Sequence, residues 1–182
     1  MLIVSAHNGY PHWVNSGADY IEVDVRRTPQ GVIVLAHDVL QPNRKYVAFD
    51  QVLAAVDGKI GLQLDLKETG YELDLVERAL EKIPADRLAV TTDVDQSLRR
   101  IKANFPEVKT GLTRRHVEPT DADFIALNHR GATDEALSFG IPIWVWTVDE
   151  AWRMEQFVSD GRIAGLITNR PDRALKLRSA RS

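Results

Sequence analysis

Acids, histidines and a lysine recur along this chain at positions where buried strands call for apolar residues. His7 follows the apolar run 2–6, Glu22 and Asp24 interrupt IEVDV, His37 and Asp38 follow VIVLA, and Asp65 and Lys67 lie in GLQLDLK. A parallel strand covered on both faces reads as a nearly unbroken apolar run, so each interruption calls for a chemical reason. Side chains alternate with period two, which puts Glu22 and Asp24 on one face and Ile21, Val23 and Val25 on the other. Gln63, Asp65 and Lys67 oppose Leu62, Leu64 and Leu66 in the same way. Three carboxylates converging on an interior repel one another, and desolvating each unpaired ion costs several kcal/mol. A cation is therefore expected among Glu22, Asp24 and Asp65, and one divalent metal is the simplest. Hard oxygen donors suit Mg²⁺ or Ca²⁺ better than zinc or copper. Standing alone, Glu22 and Asp24 read as a structural pair bridged to Arg26, Arg27 or Lys67; Asp65 as a third carboxylate turns the balance to metal.

His7 precedes Asn8–Gly9, a turn signal that places its imidazole at a strand end. With His37 it makes a pair of side chains that titrate near neutrality. One can take a proton from a nucleophile while the other gives one to a leaving oxygen. That division suits hydrolysis or intramolecular displacement at phosphorus. Lys67 falls two residues beyond Asp65 on the same face, where an ammonium can hold a phosphate oxygen and offset developing charge; otherwise it is an ion-pair partner for Glu22 or Glu68. Trp144 and Trp146 in IWVWTVD share a face. Trp144 reads at least as well as core, and Trp146, nearer the strand end, as a wall of a substrate pocket. Asn169, Arg170 and Pro171 read as a strand-to-helix turn, and His12, His116 and His129 as structural or surface residues.

The elements that must position these groups are short β-branched runs alternating with amphipathic segments, the pattern of βα units around a parallel sheet. Strands are expected near 2–6, 20–25, 32–36, 60–66, 88–92, 108–112, 123–127, 143–148 and 164–168. Helices are expected near 49–56, 133–139 and 172–177. Three more follow from a stripe of Leu73, Val76 and Leu80, from Leu98 and Ile101 behind Asp95, and from Trp152, Phe157 and Val158 behind a capping Asp149. Only RRTPQG separates the second and third strands, whereas a parallel crossover needs about a dozen residues. The run 32–36 is therefore read as an arm returning from the second strand and carrying His37 back to the mouth. The other eight strands predict a (β/α)₈ TIM barrel, with chemistry at the C-terminal strand ends and lean loops, since that fold typically takes ~250 residues.

The 182 residues, 44% of them hydrophobic, form no long polar, Pro-rich or Gly/Ser-rich linker, which predicts one domain over 1–182. Twenty-six acids and 23 bases, net −3, are interspersed without a basic stripe, which argues against nucleic acid as a partner. The absence of cysteine excludes disulfides, thiolate nucleophiles and Cys-based zinc sites. No apolar run approaches the ~18 residues of a membrane span, and MLIVSAH is too short for a signal peptide, so a soluble cytoplasmic protein is expected.

The succession HNG, GADYIEVDVRRTPQGVIVLAHD, LQLDLK, WVWTVD and GLITNRPD resembles the glycerophosphodiester phosphodiesterase family over most of the chain. The resemblance implies a TIM barrel of the phospholipase C-like phosphodiesterase type, using a divalent metal to hydrolyse glycerophosphodiesters such as glycerophosphocholine to glycerol 3-phosphate and an alcohol. It implies His7 and His37 as catalytic histidines, Glu22 and Asp24 as metal ligands, Asp65 in the place of a third, Lys67 as the lysine that follows, and Trp146 within the family's WTV motif. The chain departs from that pattern in four places. Asn8 stands where the family carries arginine and cannot supply its charge or bidentate fork at the phosphate. The acidic Pro-Glu-Asn-Thr segment is absent, Asp65 replaces the usual glutamate, and the insertion after His-Asp shrinks to VLQPNRKYVAFDQ. The implied partner is a small phosphodiester. Two further readings follow from the departures: a relative acting on another phosphoester, and a catalytically weak barrel that binds a phosphorylated ligand.

Overall fold

The outward apolar residues of the expected barrel strands find cover, while Val32 at the start of the expected arm stays exposed. In the computed structural model, which describes residues 1–181, nine strands make one sheet. They are β1 (Ile3–Ala6), β2 (Tyr20–Arg27), β3 (Ile33–Leu35), β4 (Gly61–Leu66), β5 (Leu88–Thr92), β6 (Lys109–Arg114), β7 (Phe124–Asn128), β8 (Ile143–Trp146) and β9 (Ile163–Thr168). All strands but β3 are parallel, and β1 pairs with both β2 and β9, which closes an eight-stranded (β/α)₈ barrel. The helices are α1 (Phe49–Val56), α2 (Glu72–Leu80), α3 (Asp95–Asn104), α4 (Asp134–Leu137), α5 (Ala151–Ser159) and α6 (Pro171–Ser179). Among the described residues no α-helix follows β1 or β6, which is how a barrel fits so short a chain. None is long and apolar enough to cross a membrane.

Ile21, Val23 and Val25 of β2 and Leu62, Leu64 and Leu66 of β4 are buried against the helices, joined by Leu75, Val76 and Ala79 of α2. Burying one such aliphatic side chain contributes about 1.5–3 kcal/mol, so this shell supplies most of the cohesion. Two helical expectations shift. In α2 the buried stripe is Leu75, Val76 and Ala79 rather than one beginning at Leu73. In α5 Met154 and Phe157 face the core, while Trp152 stays exposed with the Arg153 guanidinium 4.7 Å from its ring centre. Asp149 does not cap α5. Glu150 holds that position, and the Asp149 carboxylate turns to Thr168 and Asn169, which offer it three donors.

The arm β3 pairs antiparallel with β2, Val25 opposite Leu35 and Arg27 opposite Ile33, as the short connection demands. Inside the barrel the N-terminal half is filled by three aromatic rings, each seated on a glycine of the neighbouring strand. Tyr20 pairs in register with Gly61, Phe124 with Gly111, and Trp144 with Gly165. Phe124 stacks on Trp144 at 4.2 Å, and Tyr20 lies 5.5 Å from it. This apolar floor leaves only the C-terminal half of the interior for polar chemistry.

The floor depends on those glycines. A Cβ at Gly165 would lie 2.7 Å from the Trp144 ring, closer than real Cβ contacts come. Replacing glycine by alanine at a compatible backbone position normally stabilises by about 0.4–1 kcal/mol through the unfolded chain, but overpacking a core costs about 1–3 kcal/mol. Gly165→Ala is therefore expected to lower stability by about 1–2 kcal/mol in urea titrations. An unchanged or raised midpoint would show that the floor is loosely packed.

Candidate active site

The parallel register of β2 and β4 puts Asp24 directly opposite Asp65 and Glu22 opposite Gln63. Adjacent strands run about 4.8 Å apart, and like charges directly opposite one another are destabilising. Lys67, just past β4, answers part of this. Its Nζ lies 2.8 Å from Asp24 Oδ1 and also bonds the Asp65 carboxylate. Thr91 Oγ1 donates to Asp65 Oδ1 at 2.7 Å, and the backbone N–H of Asn8, a left-handed residue at φ 46, donates to Glu22 Oε2 at 2.9 Å. Opposite Glu22, Ser5 Oγ donates to Gln63 Oε1 at 2.7 Å, which seats the amide in the layer beneath the Asp24–Asp65 pair.

One ammonium still faces three carboxylates whose oxygens lie within 4.8 Å of one another. Burial, then Asp24, then Asp65 push the Glu22 carboxyl well above the usual range against the Asn8 N–H and Lys67. Burial also pushes Asp65 up, in opposition to Lys67 and Thr91. At Lys67 burial works downward, but Asp65 and Asp24 outweigh it and hold the ammonium above its ordinary pKa. Asp24 Oδ2 is buried without a hydrogen-bond partner. An excess of carboxylate charge with an unpartnered oxygen is a donor set that fits a hard divalent ion. Of the alternatives open in the sequence, the bridge from Lys67 to Asp24 forms; among the described residues Lys67 pairs with neither Glu22 nor Glu68, and Arg26 and Arg27 pair with neither Glu22 nor Asp24. Arg26 instead binds Glu68 at 2.6 Å and donates to the His37 carbonyl through Nε and Nη2 at 3.2 and 3.0 Å. That clamp, with Ala36 N donating to Asp24 O at 3.0 Å, sets His37 at the mouth.

His7, Glu22, Asp24, His37, Asp65 and Lys67 all line one cavity of about 320 Å³ at the C-terminal end of the barrel. Trp146 forms part of its wall, with the indole Nε1 donating to Ala126 O at 2.8 Å. Trp144 does not reach it and belongs to the floor. Asn8 lies beside the cavity, lining an adjoining hollow of about 140 Å³ with Tyr10, Asp24 and His37. Sequence reasoning missed Thr91 and Thr113, which also line the cavity; the Thr113 hydroxyl is buried with no partner. A threonine in a strand ordinarily signals β-propensity alone, so neither stood out.

The histidines differ in their supports. His7 Nδ1 lies 3.0 Å from Asn169 Oδ1. Asn169 donates its Nδ2 to Asp149 Oδ2 at 2.7 Å, so its oxygen faces the ring and Nδ1 must be the protonated nitrogen. The Asn8 amide nitrogen sits 3.4 Å from His7 Nε2, consistent with a lone pair there. Burial works to raise the Asp149 carboxyl, but hydrogen bonds from Asn169 and Thr168 outweigh it and hold it below its ordinary value, an acceptor throughout. His37 Nδ1 instead meets the carboxylate of Asp38 at 2.9 Å, and that hydrogen bond lowers Asp38.

The sequence matches no family model and no curated protein. The fold does have counterparts among solved structures. A glycerophosphodiester phosphodiesterase from Parabacteroides distasonis superposes with a TM-score of 0.80 at 18% identity, covering 100% of this chain and 98% of the other. A phosphodiesterase from Oleispira antarctica, solved in complex with the product sn-glycerol-3-phosphate, gives 0.81 at 14% identity over 97% and 96% of the two chains. The glycerophosphodiester phosphodiesterase of Thermotoga maritima gives 0.73 at 16%, over 98% of each. The chain therefore shares the barrel of these enzymes, which is the fold the motif resemblance implies.

A raised native carboxyl binds its proton more tightly than the unfolded chain does. The stability linked to Glu22 is thus fully present below its ordinary pKa of 4.5 and is lost as pH rises through the higher native value. Thermal unfolding of protein kept in chelator should show stability falling from pH 5 to 8. Glu22→Gln, which keeps an acceptor for Asn8, should flatten that fall and stabilise the chelated protein at pH 8 by about 1 kcal/mol or more. Equal or greater stability of the parent at pH 8 would mean the carboxylates are already balanced.

Proposed function

We propose that this protein is a metal-dependent phosphodiesterase that hydrolyses a glycerophosphodiester-like substrate to a phosphomonoester and an alcohol. The observation that supports this most is the convergence of the carboxylate trio, Lys67 and two oppositely supported histidines on one cavity. Glu22, Asp24 and Asp65 would hold the ion, Mg²⁺ or Ca²⁺, which when bound supplies Lewis-acid polarisation of the phosphoryl group and neutralises surplus carboxylate charge.

The remaining steps belong to the chain. Lys67 has two of its three protons directed at Asp24 and Asp65, and the third can go to a non-bridging phosphoryl oxygen. His7, protonated on Nδ1 by its bond to Asn169, presents Nε2 as a base to the attacking water or substrate hydroxyl. His37, whose Nδ1–H is directed at the Asp38 carboxylate, is suited to carry the proton delivered from Nε2 to the leaving alkoxide. Trp146, fixed by its bond to Ala126, offers an apolar wall to the glycerol or alcohol carbons. A substrate hydroxyl as nucleophile gives a cyclic phosphate first, and water attack gives the monoester directly.

Turnover of glycerophosphocholine with Mg²⁺ or Ca²⁺, abolished by chelator and restored by the ion, is the expected result. His7→Ala and His37→Ala should each lower kcat by about 10²-fold or more, the lower end for a positioned acid or base. Binding of glycerol 3-phosphate without turnover of any diester would favour a barrel that only holds a phosphorylated ligand.

A further inference from the structure

Where β6 and β7 run past the cavity, their side chains change from neutral to cationic. Thr113 and Ala126 line the cavity, and two residues further along stand Arg115 and Asn128, with Arg130 in the turn that follows. Asn128 is in register with Trp146 of the cavity wall. Asn128 ends β7 two residues, about 6.6 Å, beyond Ala126, and Arg115 lies one residue past the end of β6, so these residues stand at the C-terminal rim of the barrel. Arg115, Asn128, Arg130 and Gly131 enclose a hollow of about 270 Å³.

Its side chains are mainly donors. Asn128 Oδ1 already accepts from Arg130 N at 3.0 Å, Nδ2 remains free to donate, and among the described residues no carboxylate lines the hollow. Among the described residues neither guanidinium makes a side-chain hydrogen bond, ion pair or ring contact. Other arginines near the mouth are paired: Arg26 with Glu68, Arg114 with Glu118, Arg153 with Glu150, Arg170 with Asp172. Isolated surface arginines are ordinary, but the backbone segments that carry these two are closely apposed, since any Cβ at Gly131 would collide with the Arg115 carbonyl. Bare glycine lets the turn after β7 close onto the end of β6.

We propose that this rim hollow binds a second anionic group of the substrate, a phosphate or carboxylate on an arm of the diester. The inference rests on the phosphodiesterase reading of the cavity below and narrows its substrate class to diesters with a charged arm. Guanidiniums meet such groups through paired, charge-assisted hydrogen bonds.

The test is calorimetric binding of glycerol 3-phosphate and glycerol 1,3-bisphosphate to the parent and to Arg115→Gln/Arg130→Gln in one divalent-ion buffer. The parent should bind the bisphosphate at least about tenfold more tightly, an advantage that shrinks with salt. In the double variant that ratio should fall to near one, with glycerol 3-phosphate affinity unchanged. An Arg-dependent gain with 3-phosphoglycerate as well marks a general anion site, and a gain with the bisphosphate alone a phosphate site. Equal parental affinities, or a variant that weakens both ligands alike, would overturn the proposal. The two readings fail separately: diester turnover without this discrimination removes the rim site alone, and Arg-dependent discrimination without turnover removes the hydrolase and keeps the rim.

Discussion

Asp24 and Asp65 face each other across two hydrogen-bonded strands inside a barrel, and that unfavourable pairing organises everything around it. Period two turns both acids inward whenever Leu62, Leu64 and Leu66 are buried outward, and the observed register sets them opposite one another. Lys67 bridges the pair, yet Glu22 one layer below keeps the cluster in carboxylate surplus. Thr91 and the Asn8 N–H divide what hydrogen bonding the backbone and neighbours can give. A set of buried acids left short of cations costs stability in the free protein, and such a cost is tolerated where a ligand relieves it.

The aromatic floor explains why so small a barrel can keep a pocket at all. Tyr20, Phe124 and Trp144 occupy the N-terminal half by lying across Gly61, Gly111 and Gly165, so no further layer of side chains is needed there. The polar layer then sits on a rigid base. Connections without helices after β1 and β6 shorten the chain without touching β2 and β4, the two strands that hold the acids.

Much of this was legible in the residues. All nine strands fall within two residues of their expected ends, and the six-residue link RRTPQG sufficed to assign β3 as an antiparallel arm. Glu22, Asp24, Asp65 and Lys67 announced themselves because they break apolar runs with a shared period. What the sequence did not show depends on contacts between distant segments. Asp149 looked like a helix cap because it precedes a helical stripe; its partners Thr168 and Asn169 lie about twenty residues away and outbid the local role. The clamp of Arg26 on the His37 carbonyl needs the hairpin to exist first. Thr113 and the arginines at the rim carry no pattern of their own and acquire meaning only from the strand ends beside them.

The claim on which the rest turns is that the acidic trio is a cation site. Calorimetric titration of Mg²⁺ and of Ca²⁺ into the parent protein and into Asp24→Asn and Asp65→Asn tests it directly. One ion per chain in the parent, with affinity lost by about tenfold or more in both variants, is the expected result. Full retention of affinity in either variant, or no heat in the parent, would contradict it and leave Lys67 as the counterion of the carboxylates.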